Sequence, residues 1–262
     1  MPWSDAPAIT VVLVVALLAL VVVPLAQMLG DGAGAQHGLE PLLELVAVLL
    51  GLLVVSVSLH ALEAQEQARA NVLVVGFGVA AACNFLHGVL VHSGPVHMPP
   101  GSADMSLWLS SWARVAEALT LGLTATRLSA PGPARAWLAT AGGVTLVLAG
   151  SSLGPLPQWF AHAADGALRQ VVAVGLALAL AASAVVLHRR SRSEEAPRER
   201  LFAWAAGAFV CGEVTVGALG GHSMLGGVLS HGFRVVAYAL LYQAVFDAGI
   251  RRPFARIQEA ES

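Results

Sequence analysis

The chain has 262 residues, 57% hydrophobic and only 11% charged, with a mean hydropathy of +0.74. A soluble domain carries about 25% charged residues, so this composition excludes an ordinary soluble domain and describes a membrane protein. The net charge of −2 gives no basic surface for nucleic acid, and no phosphate-binding loop, nucleophile elbow or two-histidine zinc helix is present.

The N-terminal seven residues hold no Lys or Arg, so the apolar run that follows lacks the charged flank of a signal peptide. Eight stretches then approach the ~20 apolar residues that a spanning helix needs. They cover residues 8–28, 39–61, 70–91, 107–128, 134–153, 168–188, 201–219 and 228–250. The expected fold is an all-α integral membrane bundle of eight transmembrane helices. It forms one domain over 1–255, followed by a short tail over 256–262. Cys83 and Cys211 both fall in apolar runs without CxxC spacing, and are expected as small buried residues.

All 14 basic residues are Arg. Arg69 follows the second span, and Arg127 and Arg135 flank the turn after the fourth. Arg189, Arg190, Arg192, Arg198 and Arg200 fill the link after the sixth. Arg251, Arg252 and Arg256 follow the eighth. The other links hold no Arg apart from Arg169 at the start of the sixth span. This alternation is the positive-inside pattern and predicts cytoplasmic N- and C-termini in a multi-pass protein of a bacterial inner membrane.

Ionisable residues inside a bilayer are expensive and face the protein interior. Here they concentrate on the second, third, fourth, seventh and eighth spans, which are expected to form an inner bundle. Drawn in the predicted topology, Glu40, Glu44, His87, Arg114, Glu117, Glu213, His231 and Arg234 all fall in the periplasmic half. His92 and His97 lie in the loop above. Helical spacing groups Asn84 with His87, Ser110 with Arg114 and Glu117, and His231 with Arg234, Tyr238 and Tyr242. Arg114 is expected to be compensated by Glu117, Glu44 or Glu213.

The segments "NFLHGVLVHSG" (84–94), "LWLSSWARVAEALTL" (107–121) and "SHGFRVVAYALLYQAVFDAGIRRPF" (230–254) resemble the third type of membrane-associated sensor domain, of the MASE class. His87, Arg114, Glu117, His231, Tyr238, Tyr242, Arg252 and Pro253 carry the likeness, and Glu44 fits an acidic position of that family. Asn84 stands where the family has Asp, and Val115 and Ala116 replace its Tyr-Leu pair. The resemblance implies an eight-helix input module that usually precedes cytoplasmic histidine kinase or diguanylate cyclase domains. No fused effector is expected within these residues, because the sequence given reaches Ser262 only a few residues past the last span.

The expected function is a non-enzymatic sensor for signal transduction. Its outward-facing pocket would be formed by Arg114, Glu117, Glu44, Arg234, Tyr238 and Asn84. His87, His231, His92 and His97 are candidate metal ligands. Expected partners are the lipid bilayer, a small ligand or metal ion from the periplasmic side, a cytoplasmic signalling protein and a second copy of the chain; no nucleic acid is expected. The alternative is a haem-, copper- or zinc-binding membrane protein with an electron-transfer or metal-handling role. It draws on paired axial histidines for haem or imidazole and thioether ligands for copper, with Met98 near His97.

Overall fold

The computed structural model describes residues 36–60, 67–92, 102–126, 167–193, 197–219 and 224–251, with isolated positions between 140 and 147 and between 254 and 259. Six α-helices account for nearly all of these residues. They are α1 (Gln36–His60), α2 (Gln67–His92), α3 (Ser102–Thr126), α4 (Ala167–Ser193), α5 (Pro197–Leu219) and α6 (Met224–Phe246). A π-helical turn, Asp247–Arg251, continues α6.

Local sequence fixes several helix ends. Pro197 opens α5 at a position where its missing N–H costs nothing, and Glu199 in the first turn favours the positive end of the helix dipole. Arg190 and Arg192 in the last turn of α4, and His60 in the last turn of α1, suit the negative end.

The fold is all-helical, and five of the described helices are long and apolar enough to cross a membrane: α1, α2, α4, α5 and the α6 segment. The eight-span expectation is therefore met in part. The expected first span, 8–28, lies outside the described residues, as does most of the expected fifth span, 134–153. The expected fourth span does form a helix, α3, but it is not among the five. Its serines, threonines, Arg114 and Glu117 lower its hydropathy, and the reason is visible in the packing: α3 turns that polar face into the bundle.

The helices pack as a ring in chain order. Each neighbour in sequence is a neighbour in space from α1 through α6, and α6 closes on α1. The interior is filled by Val54, Leu73, Phe77, Leu121, Leu180, Leu187, Phe202, Phe209, Tyr238 and Leu241. A smaller cluster of Cys83, Leu109, Ala113 and Val147 lies between α2 and α3. Leu42, Leu45, Leu49 and Leu52 on α1, and Val171, Val174, Leu178 and Val185 on α4, point outward, as lipid-facing residues do. Cys211 joins them: it is exposed, unlike Cys83 and against the expectation of burial.

Apolar burial adds little between helices surrounded by lipid, so close packing and polar links hold such a bundle. Glycines create the close approaches. A Cβ on Gly51 would lie 3.2 Å from Tyr238 Cε1, and one on Gly76 would collide with Thr120. Among the described residues, polar links cross the ring between helices that are not ring neighbours, as in four helix pairs: α3 with α5, α3 with α6, α2 with α6 and α2 with α5.

Candidate functional site

Three of those links lie between mid-depth and one end of the bundle. The start of α1 meets the end of α2, the start of α3, the end of α5 and the start of α6, so the antiparallel ring brings together residues far apart in sequence. The first link is the pairing of Arg114 with Glu213. Nε donates to Oε1 at 2.7 Å, and Nη2 donates to Oε2. Both side chains are buried. A two-point guanidinium–carboxylate pairing satisfies both groups at once, and burial makes each dependent on the other.

Glu117 lies one turn further along α3. Its Oε1 accepts from the Tyr238 hydroxyl at 2.8 Å and from Asn84 Nδ2 at 3.4 Å. Its Oε2 is 3.9 Å from Arg234 Nη2, while Arg234 Nη1 donates to Asn84 Oδ1 at 3.3 Å. Glu117 and Tyr238 are each 1% exposed. The Tyr238 ring is gripped edge-on by Phe77 and Phe209, both at 5.5 Å between centroids. This network ties α2, α3 and α6 together through one carboxylate.

Towards the rim, α1 supplies two carboxylates one turn apart. Glu44 Oε1 is 3.8 Å from His87 Nε2 on α2, and Glu40 Oε1 is 3.5 Å from His231 Nε2 on α6. The other face of His87 is held by Ser106, whose carbonyl lies 2.9 Å and hydroxyl 2.8 Å from Nδ1. A carbonyl only accepts, so this geometry suits a proton on Nδ1. Two glycines make room for the carboxylates. A Cβ on Gly88 would sit 3.2 Å from Glu44 Cδ, and one on Gly227 would sit 2.6 Å from Glu40 Oε1.

Of the residues singled out in the sequence, Asn84, Arg114, Glu117, Arg234 and Tyr238 thus meet in connected or adjacent polar contacts, with Glu44 and His87 paired above them. His231 takes Glu40 as its partner. Tyr242, expected on the same stripe, instead packs against Phe246 at 5.7 Å. His92 ends α2, but its side chain lies outside the described residues, as do His97 and Met98. Among the described residues, no three His, Cys, Asp or Glu side chains gather as a metal-binding group.

Sequence reading missed Ser106, Gly88 and Gly227 and gave Glu40 no role in the pocket. Ser106 was accessible by extending the Ser110–Arg114 face back by four residues. The glycines carried no signal before their neighbours in space were known. At the opposite end, the fourth link was also missed. Arg69 Nη2 donates to Glu199 Oε1 at 2.6 Å, and the Arg69 guanidinium carbon lies 5.3 Å from the Phe202 ring centroid.

The family model for MASE3, a membrane-associated sensor domain, matches residues 37–253. The chain belongs to the MASE3 family. Apart from Gln36, the match spans all six described helices of this sensor domain and every polar contact described above. No curated protein and no solved structure matches the chain.

Proposed function

We propose that the polar end of this membrane sensor domain is its sensing site, open to the periplasm and read out by α6. The observation that carries the reading is the ladder of contacts along α6. His231 meets α1 through Glu40, Arg234 meets α2 through Asn84, and Tyr238 meets α3 through Glu117. Each step lies about one turn deeper. A ligand that disturbs the rim therefore alters the forces on one helix that runs on to Arg251 at the other end. Arg252 and Pro253, which the sequence adds to that end, lie outside the described residues.

Signalling requires a ligand with different affinities for two arrangements of the helices. Among the described residues, two Arg of the layer meet Glu213 and Glu117, and Glu40 and Glu44 are further carboxylates facing His231 and His87. This excess of acidic groups at the rim favours a cationic or hydrogen-bond-donating small ligand. The role is binding and relay, with no catalytic step assigned, in a bacterial inner membrane with both termini cytoplasmic.

The orientation is tested with Glu40→Cys, whose parent side chain is 42% exposed, in a background lacking Cys83 and Cys211. A membrane-impermeant thiol reagent applied to intact cells should label it, and should not label Arg189→Cys. The reverse pattern contradicts the reading.

A second reading keeps His87 and His231 as ligands of copper, zinc or haem. It is supported by their shared end of the bundle, and would need His92 or His97 to complete a site. Elemental analysis and an optical spectrum of the purified protein decide it: stoichiometric metal or a Soret band supports it, and neither supports an organic or other ionic ligand.

A further inference from the structure

α6 does not leave the bundle as a regular helix. As far as Phe246 its turns are α-helical, and Tyr242 and Phe246, four residues apart, hold their ring centroids 5.7 Å from each other on one face. Asp247–Arg251 then form a π-helical turn, in which the backbone bonds span five residues instead of four. Phe254, Gln258 and Glu259 are again α-helical. The wide turn thus holds one residue more than an α-turn would.

The turn begins where the packed interior ends. Ala244 and Val245 belong to the interior cluster. Asp247, Ala248, Gly249 and Ile250 are only half-buried, and Arg251 is exposed. Packing therefore fixes the register of α6 up to Val245 and leaves the next turn to its local chemistry. Two opposing influences act there. Gly249 departs from α-helical geometry more readily than any residue with a side chain, which favours the wide form. Asp247 and Arg251 favour the α form. Their charged groups lie 3.7 Å apart, beyond the ~2.7–2.9 Å of a charge-assisted hydrogen bond, because four residues fall short of a full circuit in a wide turn. In an α-turn the same spacing places both on one face, and the pair closes.

We infer that the Asp247–Arg251 turn is a two-register joint, which exchanges between its π form and an α form and so rotates the residues beyond it about the axis of α6. The step is that of one helical residue, about 100° of rotation and ~1.5 Å of rise. On a helix ~10–12 Å across, that carries a point on the surface through about 8 Å. The use of the joint as the output of the polar end rests on the function proposed above; its two registers do not.

The test uses the full chain in lipid, with Cys83 and Cys211 replaced, and pulsed electron-paramagnetic-resonance distances. One spin label is at Ala182, exposed on α4, and the other is at Gln258 beyond the joint or at Gln243 before it. The Ala182–Gln258 distribution should hold two components, and the Ala182–Gln243 distribution one. Arg251→Gln removes the exposed partner of Asp247 and should shift the ratio of the two components by about 1.5–2-fold, the effect of one such pair. Gly249→Ala should shift it by about 2–5-fold in the opposite direction, because alanine favours the regular helix. A single component at Gln258 overturns the inference, as do two components at Gln243. So does a ratio that both substitutions leave unchanged or move the same way. If both substitutions move the ratio as expected and Glu117→Gln does not, the joint stands and the sensing role of the polar end fails instead.

Discussion

Arg114 on α3 and Glu213 on α5 form a buried two-point pairing across the ring, linking helices that otherwise barely touch. Removing one partner leaves the other charged and enclosed. Arg114→Ala should therefore lower stability by about 3–5 kcal/mol. Joining it to Glu213→Gln should recover a substantial part, because the double variant leaves neither charge of the pair buried alone. Thermal unfolding of the four proteins in one detergent measures this; additive losses would mean that the two residues act separately.

Tyr238→Phe keeps the ring between Phe77 and Phe209 and deletes only the hydroxyl that Glu117 accepts. The expected loss is about 1.5–3 kcal/mol, the range for a hydrogen bond to a charged group. In a Glu117→Gln background the same change should cost less, since the acceptor is no longer ionised. A full-size loss in that background would show that the effect comes from ring packing.

Two glycines in spanning helices should respond oppositely to alanine. Gly76→Ala places a methyl group into Thr120, whose hydroxyl is already committed to the Ala116 carbonyl at 2.6 Å. It should destabilise by about 1–3 kcal/mol through overpacking. Gly217 on α5 has nothing among the described residues within 4 Å of an added Cβ, so Gly217→Ala should be neutral or stabilise by up to about 1 kcal/mol through helix propensity. The two unfolding curves read the contrast directly.

The same physics explains what sequence could reveal. The α6 stripe was legible because a three-to-four-residue spacing fixes a helical face whatever lies opposite it. Arg114 offered three acidic partners, and the local one, Glu117, was as plausible by spacing as Glu213. The two-point pairing with Glu213 depends on where α5 stands in the ring, and the contacts of Glu117 with Tyr238 and Asn84 on where α6 and α2 stand. Grouping His87 with His231 as candidate metal ligands rested on similar depth, on a polar neighbour one turn from each and on the likeness to the sensor family. It could not anticipate that Glu40 and Glu44, one turn apart on α1, would each face a different histidine. Glu199 sat in an arginine-rich run that looked wholly solvated, and only the approach of α2 shows that it turns inward. The serine-rich α3 read as a span because its length fits, although its polar face serves the bundle interior.

The central claim is that the polar layer governs the far end of α6. It is tested most directly by pulsed electron-paramagnetic-resonance distances between spin labels at Ala68 on α2 and Ala248 beyond α6, in a chain with Cys83 and Cys211 replaced. The wild-type distribution is compared with those of Glu117→Gln and Arg234→Gln, which alter the network at the opposite end. The account predicts that both substitutions shift or broaden the distance distribution at the α6 exit while helical content is retained. Identical distributions in all three proteins would contradict it.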